Sequence, residues 1–478
     1  MPPPGGSALP CTLWFDVEDL FEHAASSARP SGIQRAAHEI YRALWEEHGP
    51  SGRIRFVRHD RHRQTLRPVT WTSVAELFER LAAAPPPSPS PSRETAALGG
   101  GPAPDSWSRQ LAGRLPPDLR HRLLAVARPL LQAGRALADL LGFLARQAAG
   151  AARRGPRRPV AADPAGDFAA LAQPGDFLVV LGAPWTYPGY ADLLRRAQDR
   201  FGLRLGLLVY DLIPIRRPEW SDRARARLLR AVFATLLPAA DAVLAISRAT
   251  AGDVERFAAD SGIALRAPVE VIPLGSGFGA AAPAVASARL PSAGSYALFV
   301  STLEARKNHL LLFRVWRRLL DDMPAEAVPS LVFVGRVGWL VDDLMRQMEN
   351  ADYLGGKIRL IEDASDGELA SLYRGCQFTL FPSLYEGWGL PVTESLAFGK
   401  PCIAARGSSL PEAGGRLARY FDPECVTDAY DVIRAAIEAP DGLRAWEAEI
   451  ARGFTPVPWR ATAEAVRRRL LGEPVPEG

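Results

Sequence analysis

The chain has 478 residues, 47% hydrophobic and 23% charged, enough for two globular cores at about 100 to 200 residues each, and a composition that excludes wholesale disorder or a fibrous repeat. Its formal net charge of +4, from 57 basic and 53 acidic residues, excludes a uniformly basic nucleic-acid binder, so no nucleic-acid partner is expected. Only Lys307, Lys357 and Lys400 are lysines, and a codon bias toward arginine is the plain explanation; against it, each lysine is a place where a compact ammonium is preferred to a guanidinium fork.

Cysteines 11, 376, 402 and 425 form no CxxC pair and have no histidine at ligand spacing, so neither a zinc site nor a disulfide framework is indicated. A reducing cytoplasm is the expected compartment. Residues 1–10 are Pro/Gly-rich and the first Lys or Arg is Arg29, so secretion is not expected. No uncharged apolar run reaches the roughly 18 residues that would span a bilayer.

In chain order, Thr12-Leu13-Trp14-Phe15-Asp16 is the first strand-like run. Pro30-Ser31-Gly32-Ile33-Gln34-Arg35 then opens a helical pattern continuing through His38, Ile40 and Leu44, for which a helix-starting turn is by itself a sufficient account. From Pro85 to about Pro117 the chain is rich in Pro, Ser, Gly and Ala and cannot be one regular element. Leu119 to Pro159 follows, with leucines at helical spacing among nine arginines and one acid, Asp139. That amphipathic segment carries +8 and leaves the remaining chain at −4. It fits a helix lying on an anionic membrane surface and equally one packed on its own domain.

Strand-like runs resume at Phe177–Leu181, Leu205–Tyr210, Ala242–Ile246 and Val269–Pro273, with helical patterns between them. The small-residue, Pro-rich stretch over 276–294 is the expected hinge, because the same alternation restarts beyond it at Tyr296–Val300, Ser330–Val334, Ile358–Ile361, Phe378–Phe381 and Cys402–Ala404. Continuous apolar runs of this length predict buried parallel strands. The expected fold class is therefore α/β, with two Rossmann-like, doubly wound domains facing across a cleft. The expected boundaries are 1–275 for the first domain, with 85–165 as an insertion, and 295–455 for the second. A decoy, Gly275-Ser276-Gly277-Phe278-Gly279-Ala280, fits a dinucleotide pattern but leads to Pro283 instead of a helix, and so lacks the dipole that gives the motif its mechanism.

The richest segment is Leu384-Tyr385-Glu386-Gly387-Trp388-Gly389-Leu390-Pro391-Val392-Thr393-Glu394. A strand, a glycine-rich turn and a helix start present free N–H groups and a positive dipole end, which suit a phosphate. One carboxylate in the turn and another expected in the helix's first turn fit the two ends of a nucleotide sugar. They fit equally a plain turn followed by a dipole-favoured acid.

This segment resembles the Glu-x7-Glu signature of retaining GT-B glycosyltransferases of family 4. The similarity extends to Glu368-Leu369-Ala370-Ser371-Leu372-Tyr373 before it, and to Gly399-Lys400-Pro401 and Leu410-Pro411-Glu412-Ala413-Gly414-Gly415 after it. The resemblance implies that Glu386 contacts the donor sugar, that Gly387, Trp388, Gly389, Leu390, Pro391 and Val392 bind sugar and pyrophosphate, and that Glu394 holds the ribose. Ser301-Thr302-Leu303-Glu304-Ala305-Arg306-Lys307-Asn308 is similar to the family's pyrophosphate loop, which makes Arg306 and Lys307 the expected cations. Many family members have arginine where Thr302 stands. Val334-Gly335-Arg336 matches a further turn, implying a nucleotide contact at Gly335 and Arg336. On the acceptor side the resemblance points to Gly32, Tyr210 and Asp211, with Tyr210 where relatives often carry histidine. Pro458-Trp459-Arg460 and the helix after it resemble the terminal helix, 456–478, that crosses back to the first domain.

The expectation is a retaining hexosyltransferase, with GDP-mannose as first candidate donor and a saccharide or lipid-linked acceptor in bacterial surface polysaccharide synthesis. It is expected in the cytoplasm, with peripheral membrane contact through 119–159. No Asp-x-Asp occurs, so no metal and no other cofactor are expected. The competing class is a non-catalytic sugar-nucleotide or glycan-binding subunit of an assembly complex, which Thr302 and Tyr210 would suit.

Overall fold

The structure, a computed structural model, describes residues 10–26, 30–83, 167–276, 283 and 285–474. The Pro-rich stretch and the basic helix expected over 119–159 lie outside the described residues, as does most of 277–284.

The first domain is built on β1 (Leu13–Asp16), β2 (Ile54–Asp60), β3 (Thr65–Val69), β4 (Phe177–Val180), β5 (Arg204–Val209), β6 (Ala242–Ala245) and β7 (Val269–Val271). Among the described residues these form one sheet in the order β3-β2-β1-β4-β5-β6-β7. Its helices are α1 (Glu18–Ser26), α2 (Gly32–His48), α3 (Trp71–Ala83), α4 (Phe168–Leu171), α5 (Tyr190–Phe201), α6 (Ile213–Arg216), α7 (Arg223–Leu236) and α8 (Arg248–Asp260). The second domain holds β8 (Tyr296–Val300), β9 (Ser330–Val334), β10 (Ile358–Ile361), β11 (Phe378–Phe381), β12 (Cys402–Ala405) and β13 (Arg419–Phe421), ordered β10-β9-β8-β11-β12-β13. Around them run α9 (His309–Asp322), α10 (Asp342–Asn350), α11 (Asp352–Gly355), α12 (Asp366–Gly375), α13 (Leu390–Ala397), α14 (Leu410–Gly414), α15 (Val426–Glu438) and α16 (Pro440–Gly453).

Phe-Leu-Val-Val of β4 and Ala-Val-Leu-Ala of β6 are buried at every position, as strands covered by helices on both faces must be. The two Rossmann-like sheets expected from the apolar runs are therefore present. The runs expected to be parallel strands all pair parallel, and one edge adds an antiparallel pair, β2 and β3, that those runs did not include. Neither strand stands out in the sequence, because Ile-Arg-Phe-Val-Arg-His-Asp places charges between its apolar residues. The short β13 is hidden for the same reason, reading Arg-Tyr-Phe.

Both sheets reverse direction beside their first strand, between β1 and β4 and between β8 and β11. In open α/β sheets that reversal opens a crevice at the carboxyl ends of the strands. Under the second crevice lies an aromatic floor of Phe299, Phe333 and Phe381 around the ring of His309, with the Phe299 and His309 centroids 4.4 Å apart. Deeper in that domain Trp316 is fully buried and donates from Nε1 to the Pro329 carbonyl at 2.9 Å. Trp316→Ala leaves a cavity and an orphaned carbonyl, and chemical denaturation is expected to show a loss of about 3–5 kcal/mol.

The last helix, α17 (Trp459–Leu471), packs on α2 and β6 of the first domain. Arg460 pairs with Glu47 at 3.0 Å, and Leu470 sits where a Cβ on Gly206 would stand, 2.4 Å away.

Candidate active site

The loops after β8 and β11 flank the second crevice and are tied to each other. Leu384 N–H donates to the Arg306 carbonyl at 2.9 Å, and Arg306 Nη1 donates to the Tyr385 carbonyl at 2.6 Å. Asn308, in a left-handed conformation at φ 61°, gives its Nδ2 to the carbonyls of Pro382 and Pro423. Gly335 closes the third side at φ 144°, where a Cβ would come within 2.1 Å of the Ser301 carbonyl. Its glycine is thus required by the neighbouring loop itself. Arg336 is exposed and its carbonyl accepts from Leu303 N–H at 3.0 Å.

This scaffold brings Glu386, Arg306 and Lys307 into one cluster. Glu386 Oε1 lies 2.6 Å from Lys307 Nζ and 2.8 Å from Arg306 Nη1. Glu304, also buried, takes the other face of the Arg306 fork. The Glu386 backbone is pinned on both sides, its N–H donating to Ser408 Oγ at 2.8 Å and its carbonyl accepting from Ser409 Oγ at 2.9 Å. Burial pushes the Glu386 carboxyl up, but the Arg306 and Lys307 charges outweigh it and hold the group at about 2. Burial pushes Lys307 down, partly offset by Glu386. The stability this carboxylate contributes is complete above its ordinary value of 4.5 and is lost as pH falls toward about 2.

Glu394 differs from its expected setting. It is the fifth residue of α13, past the first turn, so dipole stabilisation does not explain it. It accepts a hydrogen bond from Tyr373 Oη at 2.9 Å, and burial, only partly offset by Tyr373 and Arg35, raises it to about 7. A carboxyl raised in the folded state stabilises it most below 4.5, and that contribution is lost as pH climbs through about 7. Hydroxyl groups donating to Glu394 favour the ionised form. Were Glu394 to hold ribose hydroxyls, as the resemblance implies, nucleotide affinity would rise with pH between 5 and 8, by up to about tenfold per unit below the titration. Titration calorimetry across that range checks it, with Glu394→Gln giving a flat profile.

The first domain contributes Tyr210, Asp211 and the start of α2. Asp211 accepts from Ile213 N–H at 3.0 Å; burial raises its carboxyl, and the Arg306 charge opposes that rise. The acid thus stands near Arg306 across the cleft. Tyr210 is buried and its phenol oxygen has no hydrogen-bond partner among the described residues. Gly32 opens α2 with nothing within 4 Å of where its Cβ would be, so the backbone there is accessible to a ligand. Beside it, Gln34 Nε2 donates to Asp19 Oδ2 at 3.2 Å, and Asp19 is raised by burial to about 6.

A clamp between the domains went unassigned in the sequence. Ser247 Oγ donates to the Gly387 carbonyl at 2.8 Å, Tyr385 Oη donates to Asp253 Oδ2 at 2.7 Å, and Glu412 accepts from Arg248 and Ala249 N–H at the start of α8. Glu412 stands fifteen residues past the end of the helix that carries Glu394, so only its acid type and the helix-start pattern at Ser247 hinted at a carboxylate on a dipole end. Gly387 fits because a Cβ there would lie 2.1 Å from the Tyr210 carbonyl. Trp388 packs against the cores of both domains, its buried Nε1 without a hydrogen-bond partner among the described residues, while Leu390 packs against the first. Gly389, Pro391 and Val392 form the start of α13, Gly389 as its cap residue.

Residues 285–448 match the family described as glycosyl transferases group 1. The second domain is a group 1 glycosyltransferase domain. The group 1 match includes the Glu386 loop, its two cations and Glu394. The chain is similar to the serotype-specific mannosyltransferase WbdA of Escherichia coli, 29% identical over 237 residues, 46% of this chain and 28% of that protein. It is similar also to the O-antigen chain mannosyltransferase B of E. coli, 28% identical over 222 residues, 44% of this chain and 55% of that protein. A D-inositol 3-phosphate glycosyltransferase of Corynebacterium jeikeium is 30% identical over 185 residues, 38% of this chain and 44% of that one. The chain thus spans little more than a quarter of WbdA's length and about half of the others'. The crystal structure of Anabaena Alr3699/HepE in complex with UDP and glucose shares the fold across 97% of this chain and 98% of that one, with a TM-score of 0.52 at 12% identity. The architecture flanking the group 1 domain is that of the GT-B fold.

Proposed function

We propose that the protein is a retaining glycosyltransferase that moves a hexose from a nucleotide sugar to a saccharide or lipid-linked acceptor in bacterial surface polysaccharide synthesis. Mannose from GDP-mannose is the first candidate, a choice supported by the mannosyltransferases among its relatives. The observation that carries the reading is the Glu386, Arg306 and Lys307 cluster at the switch point of the second sheet.

The two cations take the charge that builds on the departing diphosphate. A diphosphate that engages Lys307 and Arg306 competes with Glu386 for them and frees that carboxylate to accept hydroxyl groups of the donor sugar. Retention then follows from an acceptor hydroxyl attacking on the face the diphosphate leaves, with a phosphate oxygen taking its proton. Tyr210 and Asp211 line the acceptor side, and the Tyr210 phenol and Trp388 Nε1 are buried with no hydrogen-bond partner among the described residues. Because protein cations supply this charge stabilisation, the reaction needs no added metal, and turnover in EDTA equals that in magnesium. The enzyme works at the cytoplasmic membrane face, a placement supported by the +8 of residues 119–159.

Incubating the purified chain with GDP- and UDP-sugars tests the proposal. The expected result is slow donor hydrolysis with one of them, GDP-mannose first, and transfer when a mannan-type glycan is added. Tight donor binding with no hydrolysis and no transfer to any glycan would favour the non-catalytic binding subunit, the reading suited by Thr302 and Tyr210.

A further inference from the structure

A cavity of about 500 Å³ lies on the first domain between α6, the Pro218–Trp220 turn and the front of α7. It is lined by Ile215, Pro218, Glu219, Arg223, Arg227 and Arg230 among others. The three arginines stand at i, i+4 and i+7 on α7 and so share one face of the helix. All three are exposed and none makes an ion pair or a side-chain hydrogen bond among the described residues, though the Arg230 guanidinium also lies over the Phe257 ring, 5.5 Å from its centroid. Like charges at this spacing oppose helix formation. Elsewhere on the surface the chain places an acid at that spacing, as in Arg195–Asp199, Arg317–Asp321, Arg318–Asp322 and Arg434–Glu438. The one carboxylate in the cavity, Glu219, is already paired with Arg217 at 2.6 Å, so it does not offset the arginines.

The position of the cavity relates it to the cleft. α6 begins two residues after Asp211, and the turn ends at Trp220, whose carbonyl accepts from Trp339 Nε1 of the second domain at 2.8 Å. The cavity therefore sits at the rim of the acceptor side. We infer that it binds a phosphate or diphosphate group carried by the acceptor, held by Arg223, Arg227 and Arg230. Guanidinium forks match phosphate oxygens in pairs, and Ile215 and Pro218 give the group's organic substituent an apolar wall. The inference rests on the transferase reading and narrows its acceptor to a phosphate-bearing one.

Inorganic pyrophosphate is the probe, titrated by calorimetry into the full chain carrying Lys307→Ala, which weakens the competing donor-side site. Saturation near one equivalent is expected, with the dissociation constant raised at least tenfold when Arg223→Gln/Arg227→Gln is added. The exposed double change Arg317→Gln/Arg318→Gln, equal in charge, is expected to leave affinity as it was. Unchanged affinity in the first double variant, or an equal loss in the second, would overturn the inference. A parallel co-sedimentation with phosphatidylglycerol vesicles separates a bilayer from a discrete phosphate. Loss of vesicle binding in Arg223→Gln/Arg227→Gln with pyrophosphate affinity intact would also overturn it, in favour of a membrane-facing surface. The titration reads no turnover, so an absence of transferase activity would leave its result standing.

Discussion

Glu386→Gln is expected to lower donor turnover by about 10²–10³-fold while leaving the affinity for the nucleotide diphosphate unchanged or tighter. The reason lies in the ion pairs the carboxylate makes. It faces two cations within 2.8 Å in a largely buried setting, and neutralising it leaves Arg306 and Lys307 with Glu304, and Arg306 also with Asp211, as their nearby acids. Breaking a buried ion pair from one side costs about 3–5 kcal/mol, so the variant melts earlier. A bound diphosphate supplies the missing anion and is expected to recover part of that loss. Single-turnover kinetics with a thermal-shift titration check both halves, and a variant that turns over at the parent rate would remove Glu386 from the chemistry.

Gly387→Val is expected to act by geometry alone. Its Cβ would lie 2.1 Å from the Tyr210 carbonyl and 3.1 Å from Asp211 Cβ, so the Glu386 loop must retreat from the first domain. The retreat pulls the Gly387 carbonyl off Ser247 and Thr250 and carries Glu386 away from the acceptor side. Displacements of about 1 Å in a catalytic constellation cost about a hundredfold, and at least that loss of transfer is expected. Overpacking adds a stability loss of about 1–3 kcal/mol. Donor binding within the second domain, measured by calorimetry, is expected to survive far better than transfer. Equal losses of both would show that the contact with Tyr210 is not what the substitution disturbs.

Much of this was legible in the sequence because the decisive elements are locally self-sufficient. Continuous apolar runs such as Phe177–Val180 have no stable place except inside a covered sheet, so both sheets could be read directly. The loops after β8 and β11 carry Lys307 and Glu386 in residue types that stand out individually. The clamp was not legible, because Ser247, Asp253, Tyr385 and Glu412 acquire their partners only when two domains meet. Glu394 was misplaced by less than a turn, and that shift changed its chemistry from a dipole-stabilised carboxylate to a buried acid raised to about 7. Strands β2 and β3 were missed because their arginines and histidines find partners in tertiary structure. His59 is the clearest example, its ring fixed between Asp16 at 2.7 Å and the Tyr187 hydroxyl at 2.6 Å.

The most direct measurement is the anomeric configuration of the first-formed product, followed by proton NMR as the chain turns over an α-linked nucleotide sugar, beginning with GDP-mannose. An α-linked product, absent with Glu386→Gln on the same timescale, is what a retaining transfer at the Glu386, Arg306 and Lys307 cluster predicts. A β-linked product, or an α-linked product formed at the same rate without the Glu386 carboxylate, would contradict it.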